Sequence, residues 1–247
     1  MNNPETTKRR RGIYLLPNLF TTAAMFAGFF AIISAINGRF ETAAIAIFVA
    51  MILDGLDGRV ARLTNTQSAF GVEYDSLSDM VSFGVAPGLI MYLWGFSDLG
   101  KFGLFAAFVH TAGGALRLAR FNTQVGNEDK LFFQGLPSPS AAAILAGFIW
   151  VCTDFDYHPE ALKYFALILT IGTGLLMVSN FRYYSFKEID FKGRVPFFAT
   201  ILVMLGISLI MTHPQIILFL LFLGYAISGP VMTIVMRRRK RRNRNNS

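Results

Sequence analysis

Residues 54–79 read DGLDGRVARLTNTQSAFGVEYDSLSD: four aspartates, three glycines and two arginines, set between two long apolar runs. What surrounds this stretch decides the fold. The chain has 247 residues, 53% of them hydrophobic and 15% charged, with 25 phenylalanines. A soluble globular chain carries about 25% charged residues, so the deficit belongs to the membrane class. Apolar segments of the length that crosses a bilayer core, about 17–25 residues, recur along the chain. They fall at 14–36, 40–63, 75–97, 101–122, 137–154, 161–180, 196–212 and 214–236, with glycine, proline and charge at the joins. The expected fold class is an all-α polytopic membrane protein with about eight transmembrane helices. The short seventh and eighth segments would alternatively form one re-entrant pair.

Lysine and arginine choose the orientation. Twenty of the 23 fall at one set of helix ends, and only Arg39, Lys101 and Lys163 fall at the other. Positive charge marks the cytoplasmic side, so both termini are expected in the cytoplasm, in a multi-pass protein of the cytoplasmic membrane. The net charge of +8 therefore reads as topology and attraction to anionic headgroups rather than as nucleic-acid binding. Pro17 and Asn18 inside the first apolar run, with no clear small-residue cleavage site, favour a retained span over a secretory signal peptide. The single cysteine, Cys152, excludes an intramolecular disulfide framework.

With the second helix entering from outside near Phe40, Asp57 lies about 26 Å along it, close to the cytoplasmic edge of the hydrocarbon core. Asp75 and Asp79 re-enter from the same side, so four carboxylates converge at one depth. Asp54, Asp57, Gly58, Ala61 and Arg62 form one helical stripe, and Gly71, Asp75 and Asp79 form another. Unpaired buried aspartates each cost several kcal/mol and repel one another, and a cation removes both penalties. Carboxylate oxygens without His or Cys suit Mg²⁺, Mn²⁺ or Ca²⁺ rather than Zn²⁺. Four are enough for a pair of divalent ions of the kind that assists displacement at phosphorus, and Arg62 adds a phosphate donor. Ion pairing with Arg59 and Arg62 in a solvated loop would explain one aspartate, but not four at two matching helical spacings. An EF-hand is excluded because DGLDGRVARLTN lacks the alternating ligands and the closing glutamate. A divalent-cation transporter using the same carboxylates remains an alternative of a different class.

The stretch also reads D-x₂-D-G-x₂-A-R-x₈-G-x₃-D-x₃-D, filled by Asp54, Asp57, Gly58, Ala61, Arg62, Gly71, Asp75 and Asp79. This resembles the signature of the CDP-alcohol phosphotransferase family. The resemblance implies that Asp54, Asp57 and Asp75 bind metal, two Mg²⁺ or Mn²⁺ ions. Asp79 would help hold the second ion and act as general base toward the incoming alcohol. It further implies CDP-diacylglycerol contacts from Gly58, Ala61, Arg62, Gly71 and Ser68, and from Asn18 and Thr21 in PNLFT at 17–21. Read alone, Asn18 and Thr21 would serve equally as polar helix-packing residues.

Family members share CMP as leaving group and differ in the alcohol. GALRLARFN at 114–122, FFQGLPSPSAAA at 132–143 and SNFRYYSFKEID at 179–190 are similar to the membrane-embedded, serine-using branch of the family. Arg117, Arg120, Arg182 and Lys187 are candidates to meet a serine carboxylate, against the simpler reading of topology anchors with snorkelling side chains. Glycerol 3-phosphate, an inositol phosphate or choline would be the alternative acceptors. The resemblance implies a six-helix core within residues 13–196, preceded by a basic segment at 1–12. Additional helices at 197–236 and an Arg-rich tail at 237–247 would follow. The expected partners are the two substrates and the bilayer. Family members are commonly homodimers, and the resemblance carries that expectation over without identifying an interface.

Overall fold

The computed structural model describes residues 15–123, 132–184 and 197–245. Among these, eight helices follow one another: α1 Leu15–Ile36, α2 Phe40–Leu63, α3 Ala69–Leu99, α4 Lys101–Thr123, α5 Ser138–Asp154, α6 Pro159–Val178, α7 Phe197–Thr212 and α8 Pro214–Asn245. Helices α1, α3, α4, α6 and α8 are long and apolar enough to cross a membrane. The last turns of α2 hold Asp54, Asp57, Arg59 and Arg62, and its charges keep it outside that group. Helix α5, with 17 residues, is a shorter apolar helix.

Water gives no drive to press one apolar helix on another inside lipid, so close packing depends on small side chains. Ala24, Ala27, Ala31 and Ala35 form a buried stripe on α1, facing Ala43, Ala46 and Ala50 of α2. The opposite face of α1 leaves Phe26, Phe29 and Ile33 exposed, where lipid would lie. Helices α4 and α6 cross at Gly113 and Gly174. A Cβ on Gly113 would stand 2.5 Å from Gly174 O, so the backbones touch there.

The structure departs from the sequence expectation in four places. Helix α3 begins at Ala69 rather than 75, because Ser68 caps it: its Oγ accepts the Gly71 N–H at 3.0 Å. The early turns of α3 are polar, so hydropathy alone starts the helix too late. Asn65, at φ +50°, turns the chain between α2 and α3 in a conformation that Asn tolerates better than most residues. Second, α3 contains π-helical turns at Met80–Val85 and Tyr92–Phe96. Third, a short antiparallel ribbon joins β1, Phe132–Gln134, to β2, Arg182–Tyr184, with Phe133 opposite Tyr183.

Fourth, α8 runs past 236 to Asn245 with Pro230 inside it, since arginine and lysine are good helix formers once outside the oil. Pro230 has no N–H for Ala226 O, four residues back. The Tyr183 hydroxyl donates to that carbonyl at 3.0 Å, which fastens the ribbon to the last helix. Burial pushes the Tyr183 phenol up to about 12, so it keeps its proton and remains a donor.

The ribbon also leads into the loop before α5. Gly135, at φ +78°, donates its N–H to Phe181 O, and Leu136 N donates to Leu176 O. The chain then enters α5 through Pro137 and Pro139, the latter in the first turn, where proline's missing N–H costs nothing.

Candidate active site

The turn at residues 64–68 folds α2 back onto α3 and makes their two acidic stripes face each other. One carboxylate oxygen from each of Asp54, Asp57 and Asp75 lies within 4.8 Å of the others. Asp79 is within hydrogen-bonding reach of Asp54. Asp57, 5% exposed, accepts a hydrogen bond from Thr21 Oγ1 of α1 at 2.7 Å, which fixes its orientation. Asp75 Oδ1 and Asp79 Oδ1 are buried and receive no hydrogen bond from any described residue.

Buried acceptors left without donors, inside a ring of oxygens that repel one another, are what a bound cation would satisfy. A hard divalent ion fits this all-oxygen set. The solvated-loop alternative is at odds with the burial of Asp57 and of Asp75 Oδ1 and Asp79 Oδ1. Arg62 is exposed and its Nε donates to Gly58 O of its own helix.

The aspartates line a cavity of about 590 Å³ that also takes in Asn18, Thr21, Gly58, Ala61, Arg62, Ser68, Gly71 and Arg117. Every residue read from the sequence as a metal or CDP-diacylglycerol contact is therefore in one wall or another of a single cavity. Gly58 has open space where a Cβ would be, so the cavity reaches the α2 backbone there. Asn18 Oδ1 would lie 3.7 Å from a Cβ on Gly71, which brings α1 to the first turn of α3.

The four basic candidates separate. Arg117 lines the cavity, donates from Nη1 to Ser138 Oγ at 3.1 Å, and is near enough for its charge to act on Asp54 and Asp79. Arg120 does not line it. Its guanidinium donates to Val178 O, to Ser179 O at 3.4 Å and to Asn180 Oδ1 at 3.3 Å, at the C-terminal end of α6. Arg182 is on β2, and its backbone N–H donates to Thr233 Oγ1 of α8. Lys187 lies outside the described residues, as do the basic N-terminal segment and the second half of SNFRYYSFKEID.

Sequence reasoning missed other parts of the wall: Gln67, Ser76, Phe121, Asn122, Pro137 and Pro139. Asn122 Nδ2 of α4 donates to Ser76 Oγ at 3.1 Å and to Glu73 Oε2 at 3.3 Å on α3. Asn122 closes RLARFN and Ser76 follows Asp75 in VEYDSLSD, but only the packing joins them.

Residues 14–178 match the CDP-alcohol phosphatidyltransferase family. Over 227 residues the chain is 40% identical to a Helicobacter pylori CDP-diacylglycerol–serine O-phosphatidyltransferase, covering 91% of this chain and 93% of that protein. A protein of the same name from Mycobacterium leprae is 30% identical over 238 residues, 93% of this chain and 78% of its own length. Another, from Bacillus subtilis, is 35% identical over 174 residues, which is 70% of this chain and 92% of that protein. The chain belongs to the CDP-alcohol phosphatidyltransferase family.

Proposed function

We propose that this protein transfers the phosphatidyl group of CDP-diacylglycerol to the hydroxyl of L-serine, releasing CMP. The observation that carries the reading is the convergence of Asp54, Asp57 and Asp75 in a cavity that Arg117 also lines. The name shared by the relatives points to the same acceptor.

Asp54, Asp57, Asp75 and Asp79 would hold Mg²⁺ or Mn²⁺, two ions in our reading. When bound, such ions draw charge from the pyrophosphate oxygens and stabilise the departing CMP. Thr21 keeps Asp57 turned to the cluster. Asp79 takes the proton of the serine hydroxyl, whose oxygen forms the new bond to the lipid-bearing phosphorus as the bond to CMP breaks. Displacement is direct and needs no covalent enzyme intermediate. Arg117 meets the serine carboxylate, a charge that glycine-lined α2 does not complement. Arg62, Ser68, Gly71 and Asn18 stand where the nucleotide would lie. The serine role is assigned to Arg117 ahead of Arg120, Arg182 and Lys187, because Arg117 alone of the described three lines the cavity.

In this reading eight helices span the cytoplasmic membrane, with both termini and the site on the cytoplasmic side, where CDP-diacylglycerol enters from the inner leaflet. Residues 13–196 form the catalytic unit, with 197–236 adding two helices and 237–247 a basic extension.

The decisive experiment measures CMP release from CDP-diacylglycerol by purified protein with Mn²⁺ or Mg²⁺, offering one alcohol at a time. Release that requires L-serine and stops on chelation is expected. Release with glycerol 3-phosphate and not serine would overturn the acceptor but keep the site. Absence of CMP release with every alcohol, together with Mn²⁺ uptake into vesicles, would favour a transporter.

A further inference from the structure

Behind Asp79 the helix is irregular in a way the proposed chemistry does not use. The π turn at Met80–Val85 starts one residue after Asp79, and Pro87 follows it. Pro87 has no N–H to give to Phe83 O, four residues earlier. A carbonyl released in the membrane interior needs a partner from the protein. It finds one in α4, where His110 Nε2 lies 3.2 Å away. His110 is fully buried.

The tautomer follows from the partners. Phe83 O only accepts, so the proton is on Nε2. Nδ1 lies 2.9 Å from Thr173 Oγ1 of α6, which is also 2.9 Å from Thr170 O, so the ring nitrogen and that carbonyl share one hydroxyl donor. The close approach of Gly113 and Gly174 brings α6 within that reach. The next carbonyl, Gly84 O, accepts Thr111 Oγ1 of α4 at 3.3 Å. On the other side of the turn, Ser82 Oγ donates to Ala24 O of α1 at 3.1 Å. The π turn is thus held from both flanks.

A π turn bonds i to i+5 rather than i+4, so it rotates one half of a helix against the other by about 100°, the arc of one residue. The rotation of the acidic half of α3 relative to its packed half depends on that turn staying where it is.

We infer that His110 is a positioning residue for the metal carboxylates: by holding Phe83 O it fixes the π turn, and with it the rotation at which Asp75 and Asp79 face Asp54 and Asp57. The inference rests on the divalent-cation reading of the site. It separates His110 from an ordinary buried polar side chain, whose loss would loosen the bundle without a specific effect on the cluster.

The test is Mn²⁺ binding to purified protein in detergent, read by electron paramagnetic resonance with no substrate present, alongside CMP release. His110→Leu should weaken Mn²⁺ binding by about tenfold, in the range seen when residues that orient metal ligands are removed. His110→Gln, whose amide can still donate to Phe83 O, should recover most of the affinity. Phe148→Ala, a cavity in α5 away from the π turn, serves as control for general loosening.

Wild-type Mn²⁺ affinity in a folded His110→Leu protein overturns the inference, and so does an equal loss in Phe148→Ala at matched melting temperature. Should His110→Leu fail to fold, Thr173→Val carries the same expectation, because it releases the ring at Nδ1. Unchanged affinity there is equally fatal. Equal Mn²⁺ binding by wild type and Asp57→Asn would remove the metal reading itself, and the inference with it.

Discussion

Asp57 and Asp79 have the same side chain but are held differently. Asp57 is fixed by the Thr21 hydroxyl, whereas Asp79 Oδ1 is buried with no donor among the described residues. Asp57→Asn should therefore weaken metal dependence and turnover together, and Thr21→Val should do the same to a smaller extent. Asp79→Asn should lower kcat by about 10²–10⁴-fold, the usual contribution of a general base, while the protein remains folded. CMP release under saturating substrates reads this out, and near-wild-type turnover would reject the assignment. Arg117 and Arg120 make a second contrast. A charged hydrogen bond contributes about 1.5–3 kcal/mol, so Arg117→Met should lower kcat/KM for serine by about 10–100-fold and leave KM for CDP-diacylglycerol nearly unchanged. Arg120→Met should instead lower the melting temperature and spare KM for serine, because its hydrogen bonds go to the end of α6.

Helix ends and interruptions set where these side chains point. Ser68 starts α3, and a lost N-cap costs about 1 kcal/mol, so Ser68→Ala should fray the turn that holds Gly71 before it disturbs Asp75. Two prolines free a carbonyl inside a helix, and in each case a side chain from elsewhere takes it: His110 for Phe83 O and Tyr183 for Ala226 O. Tyr183→Phe leaves a buried acceptor unmade, costing about 1–3 kcal/mol. Pro230→Ala returns a backbone donor to Ala226 O, so the same Tyr183→Phe change should cost less in that background. A double-mutant cycle in denaturant measures the difference, and strict additivity would show that the hydroxyl is not serving that carbonyl. The long helices were legible because apolar runs need no partner to be recognised. The ribbon was not: its strands are three residues each, and Phe132 meets Tyr184 across the whole of α5 and α6. Nothing in the local pattern of either segment reports that meeting.

Across the whole molecule, charge placement and metal are the two handles. Removing divalent ions should abolish CMP release and lower the melting temperature, because four carboxylates would be left facing one another, and re-addition of Mn²⁺ should restore both. No thermal shift on chelation would argue against a cation in the cluster. The orientation proposed above rests on the basic residues, and Cys152, buried in α5, can be replaced by alanine to test it in a cysteine-free background. A cysteine at Thr123, at the end of α4, should then react with a membrane-impermeant thiol reagent only from the cytoplasmic side, and one at Tyr157 only from the opposite side. The reverse pattern would invert the topology.

The sequence by itself determined that the chain is a bundle of membrane helices and which residues are the candidates for its chemistry, because hydropathy and helical spacing are local. It also determined that Asp54 pairs with Asp57 on one face and Asp75 with Asp79 on another. Only the tertiary structure decided that these faces oppose each other, that Arg117 reaches their cavity while Arg120 is engaged at α6, and that Asn122 joins Ser76. Spacing along one helix fixes which residues share a face, but not how that helix is rotated against its neighbours. In a bilayer that rotation is set by small-residue contacts and by freed backbone carbonyls finding donors on other helices, interactions between segments far apart in the chain.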